Sequence, residues 1–264
     1  MTNKFFGAFV SVALVLAACG VDQGGGETSV DEPLLQIVSE GGFVPVEVAL
    51  NTGPRYTLLG DGRLIFQGFQ TMEFPGRLLP PYMVATLDGG QLNAVLAMLE
   101  DIGLPDIEDE VDDRAAGMIA DASTEVITYW DENGVHRLSV YALGFEESPS
   151  DRNAAFSELI ETFDRFTASA DAVPYQPEQV KVAAGAGFVD PEFEDIREWP
   201  LEATDFSDWE ELANGWQCKV FDGSITPAFE DSTQATSWQH PNDPAADPLV
   251  LLVRPLHPGE PGCV

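Results

Sequence analysis

The chain has 264 residues, 44% of them hydrophobic, with five Trp and sixteen Phe; this is the composition of a folded core and excludes a wholly disordered protein. Its 45 acidic residues against 12 Lys and Arg give a formal charge of −33, which argues against a nucleic-acid-binding face, since phosphates need a basic one. Such a body is repelled by anionic lipid, and the charge reads first as a solvated acidic surface, with a basic partner or weak extracellular calcium as the functional alternatives.

In chain order, residues 1–18 have the three parts of a secretory signal. Lys4 supplies the basic start, the run from Phe5 to Leu16 is apolar, and small residues follow. That run is about twelve residues, below the roughly 17–25 a spanning helix needs. Leu16-Ala17-Ala18-Cys19 resembles the lipobox of bacterial lipoproteins. The resemblance implies that Cys19 carries a diacylglyceryl lipid, that the chain is cut just before it, and that the protein sits on the extracytoplasmic face of the cell membrane. Two or more acyl chains hold such an anchor where one is marginal. Residues 19–33, with Gly24-Gly25-Gly26, then read as anchor and flexible tether, with a mean reach of about 20 Å.

A first folded unit is expected over 34–168. Leu35-Gln36-Ile37-Val38 reads as a strand broken at Glu40-Gly41-Gly42, and Val44, Val46, Val48 and Leu50 alternate as a second strand would. Asp61-Gly62 and Asn133-Gly134 mark hairpin turns, because both pairs tolerate positive φ. Asp88 is placed to cap a helix that buries Leu92, Val95, Leu96, Leu99 and Ile102 and stops at Gly103. The acidic run from Asp106 to Asp113 lacks the ligand-and-glycine spacing of an EF-hand loop, so a solvated loop is expected there. Ser148-Pro149-Ser150-Asp151 opens a last helix, with Pro149 at its first position and the stripe Phe156, Leu159, Ile160, Phe163 and Phe166.

Residues 169–177 read as a linker, and 178–264 as a smaller and less regular α+β unit. Strands are expected at Gln179–Ala183, Glu194–Trp199, Trp216–Phe221 and Leu249–Arg254, with a short helix opening at Ser207. With Cys19 lipidated, Cys218 and Cys263 remain, and an even pair in an oxidising exterior is expected to form a disulfide. The fold class is therefore α+β: antiparallel hairpins with two amphipathic helices, followed by a smaller disulfide-stapled α+β unit.

Motifs for catalysis are missing. His136, His240 and His257 share no metal-ligand spacing, and no Zn, P-loop, dinucleotide or nucleophile-elbow motif occurs, so no cofactor and no catalytic residue is assigned. Trp130, Tyr141, Trp199, Trp209, Trp216 and Trp238 are expected mainly in packing, with one or two facing a ligand.

The order of features in residues 36–167 resembles that of emfourin-type inhibitors of thermolysin-like metalloproteases. It is carried by Ser39-Glu40-Gly41-Gly42-Phe43, the Asp-Gly turn, the helix through Leu92 and Leu99, the strand Val135-His136-Arg137-Leu138-Ser139-Val140 and the last helix. The chain departs from that family in Val44-Pro45, in its insertions, and in its second unit and anchor. The resemblance implies a protease as partner and Gly41, Gly42 and Phe43 as the partner contact. The reading from sequence is thus a membrane-anchored, non-enzymatic binding protein. An extracytoplasmic hydrolase with a site assembled from distant residues is the alternative, and a transporter's solute-binding protein comes third, for want of two βαβ lobes.

Overall fold

The computed structural model describes residues 32–263, apart from 71, 146–147 and 203–204. The signal segment, Cys19 and nearly all of the tether lie outside the described residues.

The first unit is one eight-stranded sheet with two long helices on one face. Its elements are β1 (Pro33–Gly41), the short helix α1 (Val46–Leu50), β2 (Tyr56–Leu59), β3 (Arg63–Gln67), β4 (Tyr82–Thr86), α2 (Gly89–Ile102), β5 (Asp109–Asp112), β6 (Ser123–Asp131), β7 (Gly134–Tyr141), α3 (Asp151–Ser169) and β8 (Val173–Pro174). The strand order is β5-β7-β6-β1-β2-β3-β4-β8, antiparallel throughout except for the parallel pair β5–β7. Alternation along the strands decides which side chains meet the helices. Leu35, Ile37, Leu58, Leu64, Ile127 and Leu138 pack against Val95 and Leu99 of α2 and Phe156, Leu159 and Phe163 of α3. Asp88 caps α2 as its position predicts, accepting from the amides of Gly90 and Gln91 while Gln91 returns a bond to the Asp88 amide.

Four expectations are corrected here. Residues 44–50 do not form a strand: both edges of β1 are already taken by β2 and β6, so the alternating valines have no ladder to join. Pro45 instead starts α1, its carbonyl accepting from the amides of Val48 and Ala49. The acidic run is not wholly a loop, because β5 forms within it. Arg152 neutralises Glu110, and Asp112 is held by Arg114 and Asn153, so the helix side of this edge carries compensated charge. The last helix starts two residues later than Ser148 predicts: Ser150 is the cap, accepting from the Asn153 amide at 3.1 Å, and Pro149 precedes the helix. At Ser207 there is one 3₁₀ turn, capped by Asp205, in place of a helix.

The second unit is a six-stranded sheet built from β9 (Gln179–Gly185), β10 (Asp195–Arg197), β11 (Glu210–Glu211), β12 (Gln217–Asp222), β13 (Thr236–Trp238) and β14 (Leu249–Pro255), ordered β10-β13-β14-β9-β12-β11. Val180, Val182, Trp209, Phe229 and Trp238 form its core. The Cys218–Cys263 disulfide is present, with Cα atoms 5.7 Å apart, and joins β12 to the chain end. The architecture is α+β in both units.

The units interlock. The segment between β3 and β4 crosses over, and its Leu78 and Leu79 lie in the second core. Leu50 packs beside Ala183, Trp216 and Cys218. In return, residues 256–260 form a strap over the other face of the first sheet. There Gln36 donates to the Pro258 carbonyl at 2.9 Å, the Thr57 hydroxyl bonds His257 Nδ1 at 2.8 Å, and the Tyr175 hydroxyl donates to the Leu256 carbonyl at 2.9 Å. Val173 and Pro174, within the expected linker, pair with β4 as the last strand of the first sheet.

Candidate functional site

Strand register separates the loops of the first sheet into two ends. Pro33 lies opposite Leu59, so the tether enters at the end that also holds the tight β2–β3 turn. The β6–β7 turn at residues 132–133 lies at this same end, because β1 and β6 run antiparallel from Leu35↔Tyr129 to Gly41↔Ser123. At the far end are the loops 42–55, 68–81, 113–122 and 142–150.

The two ends differ in chemistry. The near-end turns are short and polar, and Asp131 closes one of them by accepting from the amides of Asn133 and Gly134. The far-end loops are long and carry exposed apolar side chains. Phe43 is 90% exposed and is accompanied by Val44 and Val48; Phe69 is 95% exposed and is followed by Met72, while Phe74, on the segment that crosses over, meets the Phe193 ring of the second unit edge-on at 5.1 Å. Met118 and Phe145 stand exposed on the other two loops. A large ring left in water forgoes the stabilisation that burial gives, and all four loops of this end carry exposed apolar side chains; Val111, Val135, Phe188 and Ile196 are exposed elsewhere.

Backbone geometry puts Phe43 there. Gly41 and Gly42 have φ of +72° and +80°, a left-handed conformation in which a side chain is strained, and they turn the chain out of β1 just past its last pairing with Ser123. The candidate contact residues Gly41, Gly42 and Phe43 thus form one outward turn. Gly68 places Phe69: its amide donates to the Pro81 carbonyl at 2.6 Å, and a Cβ on it would lie 2.7 Å from Met83 Cγ.

Beside Phe69 a cleft of about 300 Å³ opens between the β3–β4 loop and the C-terminal part of α3. Its polar wall is Arg55, Tyr56 and Asp164. One guanidinium nitrogen of Arg55 reaches both Asp164 oxygens, at 2.8 and 3.0 Å, and the Tyr56 hydroxyl donates to the same carboxylate. Burial and that bond to Asp164 push the Tyr56 phenol up to about 12, so it stays protonated. This site had no signal in the sequence, because its residues are far apart in the chain and belong to no motif.

The histidines lie elsewhere and apart. His136 is buried on β7, its ring nitrogens bonded to the Ile107 carbonyl and to Asp131, which raises its pKa. His240 packs near the Phe206 ring. His257 belongs to the strap and is sealed between it and the first sheet, where burial and then Arg254 pull its pKa down to about 3. Trp209, Trp216 and Trp238 are core residues. Among the described residues no group of three His, Cys, Asp or Glu side chains is placed to hold a metal ion, and no helix is long and apolar enough to cross a membrane. Comparison with protein families, with curated proteins and with solved structures finds no match, so the emfourin resemblance rests on the residues quoted for it alone.

Proposed function

We propose that this chain is a lipid-anchored extracytoplasmic protein whose body binds a protein partner through the loop end of its first sheet. The observation that carries this reading is the placement of Phe43, Phe69, Met72, Met118 and Phe145 on loops at the end opposite Pro33. A flexible tether joined at Pro33 attaches at the opposite end, so it leaves those loops uncovered for a partner. Exposed aromatic and methionine side chains on loops held by a rigid sheet are the groups that dominate protein interfaces. The emfourin resemblance suggests a thermolysin-like metalloprotease as partner, since Gly41, Gly42 and Phe43 sit on this same end.

The test compares the full chain with a Phe43→Ser/Phe69→Ser/Met72→Ser variant in pull-downs from secreted and envelope extracts, and in direct binding to a thermolysin-like protease. A saturable partner lost by the variant and kept by a control substituted at Asn133 supports the reading. Equal capture by both variants, or turnover of ester, glycan or peptide substrates by the purified chain, overturns it. Anchoring has its own test: Cys19→Ser is expected to leave the chain uncleaved or absent from the membrane fraction, and unchanged processing and retention would sink it.

A further inference from the structure

We infer that the cleft beside Phe69 is a socket for one neutral aromatic side chain of the protein partner. The inference rests on the reading that this end of the sheet meets a partner, and adds what the partner must insert.

The walls decide the chemistry. Phe66, Phe69 and Ala168 provide an apolar lining. Across from them the only formal charges are Arg55 and Asp164, and these are bonded to each other. A charged insert of either sign would have to compete for a partner that Arg55 and Asp164 already supply to each other. A neutral insert leaves the pair intact. A ring also has a use for Arg55, whose planar guanidinium already lies 5.3 Å from the Tyr56 ring centroid and can stack on a second π-face. The half-exposed Asp164 and the Gln67 amide are within the lining and can accept from a phenol or an indole N–H. A volume of about 300 Å³ is at the small end of ligand sites, enough for one large side chain and too small for an extended peptide. Continuity with Phe69, which stands at the rim among the exposed residues of this end, makes a partner's side chain the occupant.

The probe is N-acetyl-tyrosinamide, a neutral aromatic side chain with blocked ends, followed by saturation-transfer NMR on the full-length protein. Binding is expected, with about tenfold weakening in Ala168→Trp, which fills the cleft from its exposed rim, and a clear loss in Phe69→Ala, which removes one wall without touching the core. N-acetyl-lysinamide is expected not to displace it. Absence of transfer, transfer to Ala168→Trp and Phe69→Ala as strong as to the native protein, or displacement by N-acetyl-lysinamide overturns the inference. Thermal melts of both variants confirm folding, and Phe69→Ala decides the matter should Ala168→Trp not fold. A partner captured equally by Ala168→Trp and the native chain overturns the socket while leaving the loop surface standing. Probe binding without any captured partner shows that the cleft takes an aromatic ring but overturns the loop surface, and with it the assignment of the occupant to a partner's side chain.

Discussion

The first sheet has two covered faces, and they are covered in different ways. One is closed by α2 and α3, apolar against apolar, with Leu35, Ile37 and Leu58 meeting Val95, Leu99 and Phe163. The other is closed by the strap from the second unit, with Gln36, Thr57 and Tyr82 meeting His257 and Pro258. The strap carries a buried ion pair, Arg254–Glu260 at 2.8 Å, and His257 Nε2 has no hydrogen-bond partner among the described residues. The helix face depends on area removed from water, which is indifferent to pH. The strap face depends on a chain end being held in place and on a histidine staying neutral, so it is the conditional one.

Breaking the helix face is expected to have the largest effect. Phe163→Ala removes a fully buried ring that also meets Tyr56 at 5.1 Å, and should cost about 3–5 kcal/mol in denaturant unfolding, equally at pH 7 and pH 5. On the strap face, Cys263→Ala releases the chain end and is expected to cost up to about 4 kcal/mol, the loop-entropy figure for this span. Amide exchange distinguishes the faces here. Opening of the strap should speed exchange of the second-unit amide of Leu256, which bonds the Gln179 carbonyl, while α2 and α3 stay protected. Equal loss of protection everywhere would mean the strap is not a separable cover.

Acid gives a smaller effect with a definite sign. Folded His257 takes a proton only near pH 3, whereas in the unfolded chain it does so near 6.5, so between these values the unfolded state holds the extra proton and stability falls as pH falls. Relative to a His257→Asn variant, which can keep a bond to Thr57 but cannot titrate, the native protein should lose about 2 kcal/mol between pH 7 and pH 5. Parallel curves for the two proteins would remove His257 as the pH-sensitive group. Thr57→Val is expected to cost about 1–2 kcal/mol, because it removes a buried hydrogen bond of 2.8 Å and leaves His257 Nδ1 unpaired.

How much of this was legible in the chain divides along the same faces. The helix face could be read because its signals are local: Asp88 and Gly103 bracket α2, and the stripes through Leu99 and Phe163 recur at helical spacing. The hairpin turns at Asp61-Gly62 and Asn133-Gly134 and the Cys218–Cys263 pair were legible for similar reasons, the last because the expectation of a lipid on Cys19 leaves two of the three cysteines and one pairing. Residues 44–50 misled, because period-2 alternation says only that a strand could form and not whether a sheet edge is free to receive it. Gly41, Gly42 and Phe43 could be named from the chain, but not that Phe69, Met118 and Phe145 stand at the same end of the sheet, since register alone brings those loops together.

By itself, then, the sequence determined the α+β class, the two helices and their buried stripes, the hairpin turns and the disulfide, all of which follow from short-range periodicity, turn chemistry or counting. Tertiary structure alone decided that Leu78 and Leu79 cross into the second core, that the strap closes the first sheet, and that Arg55, Tyr56 and Asp164 share one cleft. The physical reason is that local patterns report which surface a residue needs buried or bonded, while the partner that meets it, often a hundred residues away, is chosen by which strand edges and faces the rest of the chain leaves open.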